Sequence, residues 1–285
     1  MRTLTKDKIK INDEDYSLKY GTIDDFDELI SDNCLVFDKS TGTLVAALCK
    51  QAIAPQTAKL SYQALMKGFG YTTDNRGAYA ATEREQDYKK SKNSRTHEVR
   101  SFAGGYFERQ GGRNPYCRAT QYTRHKPKAW KQNLLLLKEM AAVMEQHAFD
   151  KYTNQMSFVS KIHSDYTYDG LPFTTTAVNI STRAGYHRDK GDYKGGIGCM
   201  SVFKKGLCIN WKLVLPEYKI ALDIGDRDVI LFDPHLLHAT TKGTGIGKMY
   251  KDWNRISVVA YVRQRLINCR SIQEEIDNAR RTLKQ

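Results

Sequence analysis

Six short β-rich runs follow one another between residues 173 and 262, and they constrain the fold more than any other feature of the chain. They read FTTTAVNIS, CMSVF, LCINWKLVL, YKIALDI, DVILFD and RISVVAYV. Gly, Asp and Lys turns separate them. Runs of this kind at close spacing predict an antiparallel sandwich or barrel. Upstream of residue 155 the character differs. CLVFD and TLVAALC, on either side of the turn-like KSTG, predict a β-hairpin over 34–38 and 43–49. APQTAKLSYQALMKG predicts a helix over 54–68 closed by Gly68. The stretch 70–128 is polar, Gly-rich and basic, and reads as loops and short elements. AWKQNLLLLKEMAAVMEQH, at 129–147, is rich in Leu, Met and Ala without internal Gly or Pro, and predicts a helix. The end, SIQEEIDNARRTLKQ, predicts an amphipathic helix. The expected organisation is one α+β unit. A helical, basic part (1–154) packs on a β-barrel core (155–268), with a C-terminal helix (269–285) as support.

A chain of 285 residues is ample for a hydrophobic core. Aromatic residues at 11% argue against disorder. No run of 18 apolar residues exists, which excludes a membrane-spanning helix. The start, MRTLTKDKIKINDEDY, lacks the apolar stretch of a secretory leader, so a cytoplasmic location is expected. The net charge is +13, and it is unevenly placed. Residues 1–40 carry 10 acids and 6 bases, whereas residues 84–131 carry 13 bases and 4 acids. Nucleic acid is the first candidate partner for such an excess, although a solvated basic face would read the same way. Cys34, Cys49, Cys117, Cys199, Cys208 and Cys269 show no CxxC spacing, which argues against structural zinc. They are expected to be reduced, mostly buried thiols.

Chemistry concentrates in three places within the β-rich part. His187 and Asp189, in YHRD, follow the strand TTTAVNIS. His238 follows DVILF and lies 51 residues beyond His187. Arg255 and Ser257 open the strand ISVVAYV. His-x-Asp followed by a distant His is the sequence form of a two-His-one-carboxylate iron(II) site, which leaves positions open for a cosubstrate and dioxygen. One intervening residue lets both side chains of an extended segment point the same way. A guanidinium and a hydroxyl beyond the last His suit a dicarboxylate. A lone HxD is weak, and His235, three residues before His238, competes for the distal position. A cupin-like binding barrel with coincidental polar residues is the bland alternative.

These segments resemble the TET/JBP family of iron(II)- and 2-oxoglutarate-dependent dioxygenases, especially compact members encoded by phages and bacteria. FTTTAVNISTRAGYHRDKGDYKGGIGCMSVF is similar to that family's metal-binding strand and loop, YKIALDIGDRDVILFDPHLLHATT to its distal-His segment, and RISVVAYVR to its arginine strand. NRGAYAA and YCRATQYTRHKPKAW also resemble family segments, so the likeness covers roughly 34–265. It implies a double-stranded β-helix (jelly-roll or cupin-like) core. His187, Asp189 and His238 become the Fe(II) ligands, and Arg255 with Ser257 the clamp for 2-oxoglutarate, with dioxygen as second cosubstrate. Arg118 takes the place of an upstream arginine near cosubstrate or substrate; a surface partner for a phosphate or acid is the alternative. Asn179 faces the metal or serves as a buried structural residue. The implied substrate is the C5-methyl group of a pyrimidine in DNA, either 5-methylcytosine or thymine, flipped out or single-stranded. Residues 84–131 and the loop 242–251 would grip phosphates. Tyr106, Tyr122 and Trp253 would stack on bases or pack in the core. The family's Gly-Gly is replaced by Cys208-Ile209-Asn210, and the loop KGTGIGKMYKDWN is long. Both are expected around the pocket mouth. The alternatives are an oxygenase acting on a small molecule or protein, and a non-catalytic nucleic-acid-binding barrel.

Overall fold

A computed structural model describes residues 1–71, 100–110 and 114–282. NRGAYAA and the charged run EREQDYKKSKNSR lie outside the described residues. The chain begins with strands β1 (Arg2–Lys6), β2 (Glu28–Ile30), β3 (Cys34–Asp38) and β4 (Leu44–Cys49). The β3–β4 turn closes because Asp38 Oδ1 accepts from the Ser40 and Thr41 N–H groups at 2.8 and 2.9 Å. Helix α1 (Pro55–Met66) starts with Pro at its first position, where the missing N–H costs nothing. Strands β5 (Ser101–Phe107) and β6 (Arg118–Ala119) follow, then α2 (Gln121–His125), α3 (Pro127–His147) and α4 (Phe149–Val159).

The C-terminal half carries β7 (Thr175–Ile180), β8 (Gly198–Lys205), β9 (Cys208–Ile209), β10 (Lys212–Leu215), β11 (Ile220–Asp223) and β12 (Val229–Phe232). It continues with β13 (Ala239–Thr240), β14 (Thr244–Gly245), β15 (Asn254–Tyr261) and α5 (Ile272–Thr282). A nine-stranded sheet has the order β1-β3-β4-β12-β8-β15-β7-β5-β6. A four-stranded sheet has the order β13-β10-β11-β2, and β14-β9 form a separate ribbon. The segment at His187 forms an isolated antiparallel bridge to His238, next to β13 at the edge of the smaller sheet. Two antiparallel sheets drawn alternately from β7 to β15 make a double-stranded β-helix within an α+β chain.

Strand alternation divides the core in two. Val229 and Leu231 of β12 pack with Leu136, Leu137 and Met140 of α3 on the helix side. Ile230 and Phe232 point the other way, to Leu213, Leu215 and Ile220 of the smaller sheet. On β15, Ile256, Val258 and Ala260 face the helices. Arg255, Ser257 and Val259 therefore face the barrel interior.

The N-terminal part departs from the helical expectation. It supplies β1, β3 and β4 to one edge of the large sheet, β5 and β6 to the other, and β2 to the small sheet. SFAGGYF reads as loop because of its glycines, yet forms β5. Gly104 lies under Trp130, whose ring would be 2.1 Å from an added Cβ. The expectation of all-reduced cysteines is also corrected. Cys117 and Cys269 form a disulfide with Cα atoms 5.9 Å apart, across 152 residues of sequence. Cys34, Cys49, Cys199 and Cys208 are free and buried. Among the described residues, no helix is long and apolar enough to cross a membrane.

Candidate active site

Extended backbone places His187 and Asp189. Tyr186 is buried edge-on against Tyr16 at 4.8 Å, which pins the segment. Arg188 turns outward to Asp13 at 2.7 Å and Glu217 at 3.1 Å. His187 and Asp189 thus share the opposite side. The third group arrives from the strand opposite. His187 N–H donates to His238 O and His238 N–H to His187 O, both at 3.1 Å. The ligating atoms of His187, Asp189 and His238 lie within 4.8 Å of one another.

Each imidazole has one nitrogen already committed. His187 Nδ1 donates to Gly185 O at 2.7 Å and His238 Nδ1 to Leu236 O at 2.8 Å. Because a carbonyl only accepts, Nδ1 is the donor on both rings, and Nε2 is the atom left facing Asp189. Asp189 lies 3.7 Å from His187 Nε2 and 3.6 Å from His238 Nε2, converging on the same point. Burial, and next the His187 ring, pushes His238 down to about 4, so it is neutral at pH 7. Two imidazoles and a carboxylate on one side of a point are a donor set that fits iron(II) with open positions. Held Nδ1–H groups fix the ring orientations such a site needs.

The cluster opens into a cavity of about 650 Å³, which Arg255, Ser257, Asn179 and Arg118 also line. Arg255 is 2% exposed, and its guanidinium lies over Trp211 at 5.3 Å. A guanidinium held flat in a cavity offers a carboxylate two parallel donors. Ser257 pairs with Asn179 across β15 and β7. Asn179 Oδ1 accepts from Ser101 Oγ, so it has a structural bond as well as a cavity face. Arg118 donates to Glu108 O, Tyr116 O and Gln110 Oε1, which holds its guanidinium at the cavity wall.

Other candidates resolve differently. His235 is turned to Asp233 at 3.1 Å and to Asp192 O at 3.4 Å, away from the cluster. Arg263 makes a forked pair with Glu108 at 2.5 Å on both nitrogens. Tyr106 packs against Tyr166 and Tyr168, and Trp253 against Cys208 and Trp211. Tyr122 is buried, with its hydroxyl on Ala64 O at 2.6 Å. Tyr122 and Trp253 are buried, Tyr122 also at the cavity wall, and Tyr106 is half-buried against its cluster. Neither Cys208-Ile209-Asn210 nor the loop 242–253 lines the cavity, contrary to expectation. They form the β9–β14 ribbon, whose Gly243 and Gly245 sit against the Trp211 and Trp253 rings, where a Cβ would come within 2.0–2.2 Å. Their role is to cover Trp211, and through it Arg255.

Asp192 was missed in the sequence. It is 6% exposed and lines the cavity three residues beyond Asp189. Burial, and next the Asp189 charge, raises it well above the usual carboxylate range. The second acid of HRDKGD was the only available signal.

A family model described as the oxygenase domain of the 2OGFeDO superfamily, Tet_JBP, matches residues 101–264. Thymine dioxygenase JBP1 of Trypanosoma brucei brucei is 31% identical over 165 residues, 57% of this chain and 19% of that protein. Bifunctional helicase and thymine dioxygenase JBP2 of Leishmania braziliensis is 32% identical over 152 residues, 53% of this chain and 13% of that protein. The chain thus spans less than a fifth of the length of these relatives. Among solved structures, NgTET1 in complex with 5mC DNA superposes with a TM-score of 0.59 at 10% identity, covering 89% of this chain and 90% of that one. At that identity the likeness is one of fold.

Proposed function

The chain belongs to the Tet_JBP oxygenase family, and from that premise we propose that it is an Fe(II)- and 2-oxoglutarate-dependent dioxygenase oxidising the C5-methyl group of a pyrimidine in DNA. The products are 5-hydroxymethylcytosine from 5-methylcytosine or 5-hydroxymethyluracil from thymine. The observation that carries this reading is the convergence of His187, Asp189 and His238 on a cavity that also holds Arg255 and Ser257. In this reading the first three hold the iron. The Arg255 fork and the Ser257 hydroxyl hold the distal carboxylate of 2-oxoglutarate. Iron held there would supply the coupling of oxidative decarboxylation of 2-oxoglutarate by dioxygen, to succinate and carbon dioxide, with hydroxylation of the methyl group, chemistry that belongs to the cofactor.

The protein's own residues position and exclude. Neutral His238 keeps its Nε2 lone pair available at pH 7, and the Nδ1 bond of His187 to Gly185 O leaves its Nε2 facing the cluster. Phe232, edge-on to His238 at 5.1 Å, keeps water from one side of that ring. A base stacked in a duplex cannot reach such a cavity, so the target is flipped out or taken from a single strand. The described part of the basic segment supports a DNA substrate, because Ser101, Arg118 and Arg124 from it line this cavity.

The test is mass spectrometry of nucleosides from DNA incubated with the protein, iron(II), ascorbate and 2-oxoglutarate. Hydroxymethylated pyrimidine should appear and should require all components. Intact DNA nucleosides, alongside efficient hydroxylation of a free small molecule or a peptide, would replace this reading with an oxygenase of another substrate class.

A further inference from the structure

Beside the cavity, the rings of Tyr71 and His125 lie parallel, 5° apart in plane and 5.8 Å between centroids. His125 is exposed and Tyr71 half-buried, and Tyr71 belongs to the cavity wall. An aromatic pair left partly in water is a poor use of apolar surface unless something covers it. The residues around it point to what that is. From 114 to 131 the chain has five Lys or Arg and no acid. Arg124, Lys126, Lys128 and Lys131 of this stretch are all exposed. Arg124 touches both the His125 ring, at 3.3 Å, and the cavity. Flat aromatic faces beside a row of cations form the arrangement that holds a single strand irrespective of sequence, with bases on the rings and phosphates on the cations.

We propose that Tyr71 and His125 form a stacking subsite for the nucleotide next to the target base, on the same strand, with Arg124 and Lys126 on its phosphates. This rests on the DNA-oxidising reading above and adds to it. The cavity takes the reacting pyrimidine, and the adjacent ring step takes its neighbour. Stacking on the step offsets part of the cost of unstacking that neighbour when the target leaves the helix. Because every base has a flat face, the subsite favours strand over sequence.

The experiment uses the whole protein and a single-stranded oligonucleotide with 2-aminopurine beside one 5-methylcytosine or thymine. Wild-type protein should quench the 2-aminopurine on binding. Tyr71→Ala and His125→Ala should each lose the quenching and raise the KM for the oligonucleotide by roughly 5- to 100-fold. Tyr71→Phe should keep both, since the ring and not the hydroxyl is required. His125 is exposed, so His125→Ala gives an answer even if Tyr71→Ala folds poorly. Quenching that survives both alanine substitutions overturns the subsite, as does Tyr71→Phe behaving like Tyr71→Ala. Nucleoside analysis of the same mixtures separates the two claims. Oxidised pyrimidine without quenching removes the subsite alone, and quenching without oxidised pyrimidine removes the proposed reaction alone.

Discussion

His235 and His238 differ by three positions and have opposite fates, and the cause is their hydrogen bonds. His235 has both ring nitrogens engaged, by Asp233 and by Asp192 O. His238 has only Nδ1 tied to its own turn, with Nε2 aimed at Asp189. His238→Ala should therefore reduce bound iron and turnover to background, while His235→Ala should retain metal. Metal analysis of the two purified variants decides it, and the reverse pattern would mean that the distal ligand is misassigned. Arg255 gives the second prediction at this scale. Lysine keeps the charge but loses the fork. A charge-assisted hydrogen bond contributes about 1.5–3 kcal/mol. Arg255→Lys should raise the KM for 2-oxoglutarate roughly 10- to 100-fold with the fold intact. No change would leave the clamp unexplained, since Arg263 is already held by Glu108.

At the scale of elements, α5 shows how a surface helix is fastened. Glu275, fully buried, accepts from Arg109, from Cys117 N–H at 2.9 Å and from Arg270 N–H at 3.0 Å. Burial alone would raise its pKa, but these donors outweigh it and hold the carboxyl at about 2, against an ordinary 4.5. A depressed acid stabilises the fold fully above about pH 4.5 and loses that contribution as pH falls toward about 2. Thermal unfolding followed from pH 7 to pH 3 should show this loss, and Glu275→Gln should start lower and fall less. None of these contacts was legible in the sequence, because Cys117 and Glu275 are 158 residues apart. What was legible obeyed local rules. The hairpin β3–β4, helices α1 and α3, and the strands β7 to β12 and β15 follow from hydrophobic period and turn residues, whereas β13 and β14, two residues each, carry no apolar run that would announce them. Strand β1, RTLTK, lacks an apolar run because it is a mostly exposed edge. The His187–Asp189–His238 cluster was readable because HxD on an extended segment fixes two side chains together. Asp192 was not, because its burial is set by the chain packed around it.

Across the whole molecule, charge is sorted. Acids of the first 40 residues are partly spent within the protein, as in Glu28 with Arg2 and Lys6, and Asp13 with Arg188. Of the cations from 114 to 131, Arg124, Lys126, Lys128 and Lys131 stay exposed, and Arg124 lines the cavity. Affinity for a single strand should therefore fall with salt, by about 0.7 in log–log slope per phosphate neutralised. Removing Lys126, Lys128 and Lys131 together should flatten the slope by about 2 and weaken all sequences alike. Binding indifferent to salt would mean that this face does not track a phosphate backbone. Lys89, Lys90 and Lys92 belong to the same basic segment, outside the described residues. The closed backbone pair between His187 and His238 has a mechanical consequence. An ion gripped by both rings would be a rivet through the rim of the smaller sheet, fastening the chain after β7 to the chain before β13. Its hold depends on how much metal is free. Each tenfold of iron above the dissociation constant adds about 1.4 kcal/mol, worth a few degrees of melting temperature. Chelated protein should melt lower and open first at that rim, so amide exchange at His187 and His238 becomes a gauge of the metal around it.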